Sequence, residues 1–477
     1  MASIRDFIKS VGTVLPEIPK PERKPSLNER FVWTAIALVA YLVMASTPLF
    51  GFNGSTANDQ LAFLRVVFAS SQGTLMELGI GPIVTSGLIL QLLVGSDIIK
   101  LDMSDSADRA IFGSATKLLT LIVIVGESLA YIYGGALGTL TANQSLIIFV
   151  QLVIASLLVL LMDEMIQKGW GIGSGVSLFI LAGVCQTVMW YTFSPIPFEV
   201  TTGVTQLFGF IPETISEFFA NNVSAVLIRD FMYPSLLTFS LTIVMILVLV
   251  YIEGIRVELP ITSIKYRGFQ GVYPIKLLYV SNIPVILVSA LAANVTFFAR
   301  ILANYSASNP PWWLHYLAVF PTATNSSSST YPTGGLVYYL TAPQSFQQTL
   351  ADPVHSAVFL LFLVGMSVVF ARLWVEIGGL NPHAVAKNLM DADVQVPGFR
   401  RSGLSIEQML NRYIPTLTII GGILIGLIAG ISDLFGVFGT GIGILLMVDI
   451  ILQYYQMLLK EQVEEISPAL AGLIGAS

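Results

Sequence analysis

The sequence predicts an all-α membrane protein of ten transmembrane helices, arranged as two inverted five-helix halves. Three observations predict it. Hydrophobic residues make up 55% of 477 and charged residues only 11%, at a mean hydropathy of +0.78. A soluble chain of that composition has too little polar surface to cover its core. Ten apolar stretches approach the roughly 20 residues that a helix needs to cross the hydrocarbon layer. Five spans in each half place any internal repeat upside down relative to the other. A single cysteine, Cys185, excludes an intramolecular disulfide framework and Cys-based metal sites.

Residues 1–30 come first. Ile4, Phe7, Ile8 and Val11 share one helical face beside Arg5 and Lys9, which predicts an amphipathic helix lying on the cytoplasmic membrane surface. No long apolar run occurs there, so no cleavable signal peptide is expected. The first half, residues 31–193, holds candidate spans at Phe31–Phe50, Gly73–Ser96, Ala110–Tyr133, Ser145–Met162 and Gly173–Trp190. The second of these carries five glycines and Pro82, with no charge between Glu77 and Asp97. Residues 55–72 before it are half apolar and include Asp59 and Arg65. The pair reads as a short helix that does not span, followed by one that does. Such a break is tolerated at membrane depth only where it is buried in protein or lines a wet cavity.

An external segment, residues 194–234, leads to the second half, residues 235–477. Its candidate spans are Ser235–Ile252, Leu277–Ala299, Pro353–Arg372, Tyr413–Ile431 and Leu434–Leu459, the last interrupted by Asp449. Ile80-Gly-Pro82-Ile-Val84 in the second span of one half matches Asn282-Ile-Pro284-Val-Ile286 in the second span of the other. Proline-interrupted segments at matching positions of inverted halves point to a site at the repeat interface. Loop 304–352, with its Trp pair and serine run, reads as an extracytoplasmic cap or a flexible decorated loop. Loop 253–276 has Val, Ile and Tyr around glycines and predicts a projecting hairpin. Loop 374–412 predicts a helix over His383–Met390 and a basic turn at Pro397–Arg401. Both are too long for simple connectors.

Orientation follows from Lys and Arg. With the N-terminus inside, 20 of the 23 basic residues fall on the cytoplasmic side, and only Arg65, Arg229 and Arg300 fall outside. Both termini are therefore expected in the cytoplasm. The sequons at Asn53, Asn143, Asn222, Asn304 and Asn325 all fall in external segments under that assignment, and Asn294 lies within a span.

Several stretches together resemble one family. They are Gly79-Ile-Gly-Pro-Ile-Val-Thr85, Gln91-Leu-Leu-Val-Gly-Ser96, Gly169-Trp-Gly-Ile-Gly-Ser-Gly175, Tyr273-Pro-Ile-Lys276 and Tyr279-Val-Ser-Asn-Ile-Pro-Val285. In matching order they look like SecY, the central subunit of the Sec protein-conducting channel, and most like its archaeal branch. The departures lie in external residues 191–233 and 304–352. The resemblance implies a central hourglass pore through which unfolded secretory polypeptide crosses and from which transmembrane segments leave sideways into lipid. It implies no catalysis and no cofactor. Its implied partners are small single-span Sec subunits of the SecE/gamma and beta types, the ribosome with its nascent chain, signal peptides and lipid. The implied location is the plasma membrane.

The resemblance also assigns residues. The pore ring would be Ile80, Val84, Val176, Ile180, Ile286 and Leu446. Ile80/Val84 and Val176/Ile180 are four apart and so share helix faces, and a narrow aliphatic ring dewets, which opposes ion leakage. The plug would be residues 55–72, with Leu61, Phe63, Leu64, Val66, Val67 and Phe68 seated on the ring. Thr85, Glu127 and Asn294 would close the lateral gate; an acid at mid-span costs roughly 3 kcal/mol to insert and so should face partners. Arg256, Lys265, Arg267, Lys387, Arg400 and Arg401 would dock the ribosome, although topology alone also demands cytoplasmic Lys and Arg.

A secondary transporter is the competing reading, since it too has inverted repeats and broken spans. Only Glu127 and Asp449 are midplane candidates for coupling ions, which is few for that class. His315, His355 and His383 form no HExxH, and neither Asp433 nor Asp449 sits in a paired aspartyl motif, which disfavours an intramembrane protease. Gly171-Ile-Gly-Ser-Gly175 and Gly439-Thr-Gly-Ile-Gly443 follow no strand, so helix packing or turns explain them better than phosphate loops.

Overall fold

The computed structural model describes residues 17–23, 25–52, 65, 68–96, 98–99, 101, 106–133, 137, 140–201, 204–220, 224–227, 229, 233–263, 270–280, 282–305, 311–320, 332–343, 346–391, 394–395 and 403–466. The expected N-terminal helix face at residues 4–11 lies outside them. The first half contributes α1 (Leu27–Ser46), α2 (Gly81–Gly95), α3 (Ser106–Tyr133), α4 (Ala142–Met165) and α5 (Gly175–Phe193). The second contributes α6 (Leu236–Gly254), α7 (Ile283–Tyr305), α8 (Pro353–Ile377), α9 (Gly403–Leu434) and α10 (Gly441–Ile466). Nine helical stretches among the described residues are long and apolar enough to cross a membrane, and α2 is the shorter tenth.

Local chemistry explains the starts. Ser26 and Thr141 head α1 and α4 with full capping boxes, their hydroxyls accepting the N–H of Glu29 and Gln144 while those side chains return to the cap N–H. Ser235 does the same for α6 with Thr238. The outward faces stay apolar: Val32, Ile36, Val39 and Val43 form an exposed stripe along α1, as expected where the solvent is lipid. Inside, α9 lies against α8 along Gly422, Gly426 and Gly430. A Cβ on Gly426 would come within 2.8 Å of the Val364 Cα, so only glycine permits this approach.

The second span is shorter than its apolar run. Residues 73–80 form turns, and helix begins only at Gly81. Gly73 and Gly79 take φ of +67° and +56°, Pro82 sits at the helix start, and the Glu77 carboxylate accepts the Gly73 N–H. Each of these favours a turn over helix. At 15 residues, α2 is ~22 Å long, short of the ~30 Å hydrocarbon thickness. The last span also shifts. Helix resumes at Gly441 and runs through Asp449, which is buried; residues 435–440 make the preceding turn.

Strands β1 (Pro197–Thr201) and β2 (Val204–Leu207) form an antiparallel hairpin between α5 and α6. Arg229 is buried beside it, donating to the carbonyls of Leu207 at 2.8 Å and Pro234 at 3.1 Å. Between α6 and α7, β3 (Arg256–Ser263) pairs antiparallel with β4 (Gln270–Lys276), the expected hairpin. Between α8 and α9 the expected helix spans Pro382–Asp391. The following β5 (Val394–Gln395) pairs with β3 through Thr262↔Gln395 and Ser263↔Val394. The two loops are thus one three-stranded sheet. A second hydrophobic cluster supports it, joining Leu259 and Ile275 of the hairpin to Val385, Ala386, Val375, Leu410 and Ile414.

Candidate functional site

All six expected ring residues fall in one hydrophobic cluster built by both halves. Ile80, Ile180 and Leu446 are fully buried, and Val84, Val176 and Ile286 are half-buried against that cluster. They arrive on α2 and its approach, α5, α7 and α10. Ile80 is held through its backbone: its N–H donates to the Phe68 carbonyl at 2.7 Å. Gly79 makes this possible, since a Cβ there would lie 2.1 Å from the same oxygen at a positive φ.

Of the expected plug residues, Phe68 is described and is buried. Its ring lies 3.5 Å from where a Cβ on Gly81 would sit. Leu61, Phe63, Leu64, Val66 and Val67 lie outside the described residues. The segment's exit is held at Ala69, whose φ is +48°. Tyr41 on α1 donates to the Ala69 carbonyl at 3.0 Å and stacks on Phe179 of α5 at 5.0 Å.

Thr85, Glu127 and Asn294 meet across α2, α3 and α7. Asn294 Nδ2 donates to Thr85 Oγ1 at 3.2 Å and to the Ala290 carbonyl at 2.9 Å. Glu127 sits beside them on α3, its Oε2 3.5 Å from where a Cβ on Gly81 would be. Thr85 Oγ1 also lies 3.4 Å from Asn294 Oδ1, so both polar atoms of the amide face the hydroxyl.

Two further contacts close this region, and neither is among the residues singled out from the sequence. The hydroxyls of Ser86 and Thr120 lie 2.5 Å apart, fully buried between α2 and α3. Tyr131 packs on Phe297 between α3 and α7, centroids 4.7 Å apart. Thr116 and Thr120 are four apart on α3, a small-polar spacing that marks a helix contact in membranes and is the one signal that points there. Of the basic residues assigned to docking, Arg256 and Lys387 are exposed on the sheet and on the helix beside it. Lys265, Arg267, Arg400 and Arg401 lie outside the described residues. No group of three or more His, Cys, Asp or Glu side chains among the described residues could hold a metal ion.

Comparison with known proteins identifies the family and the fold. The SecY family profile matches residues 74–455, and the plug domain of Sec61p matches residues 39–73. A solved protein-conducting channel is 34% identical with a TM-score of 0.81, over 97% of this chain and 98% of that one. The canine Sec61 of an endoplasmic-reticulum ribosome–channel complex is 33% identical with a TM-score of 0.79, over the same shares. A chain of the idle yeast Ssh1 complex bound to the 80S ribosome is 27% identical with a TM-score of 0.76, over 96% and 94%. Nothing in these matches supports the transporter reading. With its profile match across most of the chain and its ten helices in two halves, the chain belongs to the SecY family of protein-conducting channels, a family of channels and not of enzymes.

Proposed function

We propose that the chain passes unfolded secretory polypeptide between Ile80, Val84, Val176, Ile180, Ile286 and Leu446, and releases apolar segments into lipid between α2 and α7. The observation that carries this reading is the full burial of Ile80, Ile180 and Leu446 in a core shared by both halves, with Val84, Val176 and Ile286 packed against it and Phe68 hydrogen-bonded to Ile80. Aliphatic side chains offer an extended peptide no hydrogen bonds and close against ions by dewetting. The Thr85–Asn294–Glu127 contact is the latch. Polar contacts of this kind average about 0.6 kcal/mol in membranes, so an arriving segment that buries several apolar side chains displaces them.

The three-stranded sheet with Arg256 and Lys387 is the docking surface for a ribosome, the partner named for the canine and yeast relatives. Polypeptide movement then draws its energy from translation. The exposed stripe of α1 suits lipid or a small single-span subunit. The distribution of basic residues supports a cytoplasmic location for both termini, and the resemblance to the family's archaeal branch supports the plasma membrane as the membrane spanned.

The test is site-specific photocrosslinking from a stalled secretory nascent chain. Crosslinks are expected at Ile80, Ile180, Ile286 and Leu446. Crosslinks confined to exposed positions such as Val39 and Leu247 would sink the pore assignment.

A further inference from the structure

Two glycine-rich turns occupy equivalent places in the two halves, and the function above does not use them. One joins α4 to α5 through residues 166–174, and the other joins α9 to α10 through residues 435–440. Inversion of the halves puts them at opposite ends of the bundle. Each contains a buried acid from the preceding helix that caps the next one. Asp163 Oδ1 accepts the Val176 N–H at 2.9 Å, and Oδ2 accepts from Gln167 Nε2 at 2.8 Å. Asp433 Oδ1 accepts the Gly441 N–H at 2.6 Å. The two side chains are on residues only 5% and 7% exposed, which rules out a solvated, incidental contact.

The glycines are what let the acids reach. A Cβ on Gly175 would lie 2.6 Å from the Asp163 Cα, and one on Gly441 would lie 2.2 Å from the Ala429 carbonyl. A side-chain oxygen at a helix N-terminus accepts from N–H groups that have no partner within the helix.

Each turn leans on the fifth helix of the other half. Gly173, at φ +75°, packs against Tyr454 of α10, whose hydroxyl donates to the Ser174 carbonyl at 3.2 Å. Gly439, at φ +72°, packs against Val184, Thr187 and Val188 of α5. So α5 and α10 are tied at both ends, reciprocally. A single tie would let the pair pivot; one at each end opposes both sliding and splaying.

We infer that Asp163 and Asp433 are positioning residues for the constriction. They fix the two turns that tie α5 to α10, so that Val176, Ile180 and Leu446 stay in register while opening takes place at α2, α3 and α7. This rests on the reading of those three residues as part of the pore ring. The clasp acts on the resting seal: loosening it lets the ring gape without any signal segment.

The experiment is the resting ion conductance of the full chain, purified with its associated subunits and reconstituted in planar bilayers. Asp433→Ala and Asp163→Ala are expected to raise the leak at least about tenfold, the size of a buried N–H left without its acceptor. Asp433→Asn keeps an acceptor oxygen for the Gly441 N–H and should stay within about twofold of the unmodified chain. Tyr454→Phe keeps the ring on Gly173 and deletes one hydrogen bond, for about a threefold rise. It decides the matter if the alanine variants do not assemble. Equal leak from Asp433→Ala and Asp433→Asn, or no rise from Tyr454→Phe, overturns the clasp. Nascent-chain crosslinks to Ile180 and Leu446 on the unmodified channel separate the two claims. Their absence defeats the ring reading, whereas their presence with an unchanged leak defeats the clasp alone.

Discussion

Arg65 Nη2 donates to Glu77 Oε1 at 3.0 Å, and the two side chains are only 13% and 2% exposed. The pair ties the segment before α2 to the turn that leads into it, just ahead of Gly79 and Ile80. Glu77 also accepts the Gly73 N–H, so one carboxylate sets both the turn and the ion pair. Removing one partner of a buried pair strands the other charge, at a cost of about 3 kcal/mol or more. Glu77→Ala should therefore release this segment and raise the fraction of channels open without a signal segment. Single-channel recording checks it; an open fraction equal to that of the unmodified chain would show that the pair does not hold the closed state.

The latch makes a smaller prediction. Asn294→Leu removes the donor to Thr85 and leaves the helix contact apolar. A loss of about 0.6 kcal/mol corresponds to roughly a threefold shift toward opening. Weakly hydrophobic signal segments should then be exported about threefold more efficiently, with strong ones unchanged. Glu127→Gln should shift the same threshold. Export assays over a graded signal series decide it, and an unchanged threshold leaves these residues as packing contacts.

The sheet makes an electrostatic prediction. If Arg256 and Lys387 meet rRNA phosphates, Arg256→Glu and Lys387→Glu should weaken ribosome binding and flatten its salt dependence. Each phosphate that is no longer neutralised should reduce the log–log salt slope by about 0.7–0.9. Co-sedimentation across a salt series reads both quantities. Weaker binding with an unchanged slope would point to a distorted sheet rather than to missing charge.

The start of α8 carries a pH dependence of both signs. Asp352 Oδ1 caps the helix by accepting the His355 N–H at 3.1 Å, and Oδ2 accepts the Tyr338 hydroxyl at 2.8 Å. These two bonds, the His355 N–H first, hold the Asp352 carboxyl below its ordinary value of 3.8. Burial, and then the bond to Asp352, pushes Tyr338 up to about 12 from 10.0. A lowered acid contributes stability above its unfolded pKa and loses it as pH falls through the folded value, here below about pH 4. A raised phenol contributes below its unfolded pKa and loses it as pH rises from 10.0 toward about 12. Thermal unfolding of the purified complex against pH should show both limbs. Asp352→Asn should flatten the acid limb and Tyr338→Phe the alkaline one; an acid limb left intact by Asp352→Asn would trace to other carboxylates.

Much of the candidate site is legible in the sequence because its residues sit in local patterns. Ile80 and Val84 share a face by spacing alone, and Pro82 with its glycines marks a broken span. How far the break extends is not legible. Gly73–Leu78 is apolar enough to enter lipid, and only the Glu77 bonds and the positive φ at Gly73 and Gly79 turn it away from helix. Nor does the sequence show that loops 253–276 and 374–412 share a sheet, because the Thr262↔Gln395 pairing is a backbone contact that no side-chain pattern announces. Asp433 is legible only as an acid outside any catalytic motif.

The sequence by itself determined the number of spans and their inversion, which follow from hydropathy and charge, properties of short stretches; the roles of the aliphatic and polar residues came only with the resemblance to a family. Tertiary structure alone decided which polar groups meet: Thr85 with Asn294, Asp163 with Val176, Asp433 with Gly441, Tyr454 with Ser174. Hydrophobicity places a helix in the membrane but is nearly indifferent to its rotation and neighbours. Buried polar groups are not indifferent, since each must find a partner, and those partners lie far away in sequence.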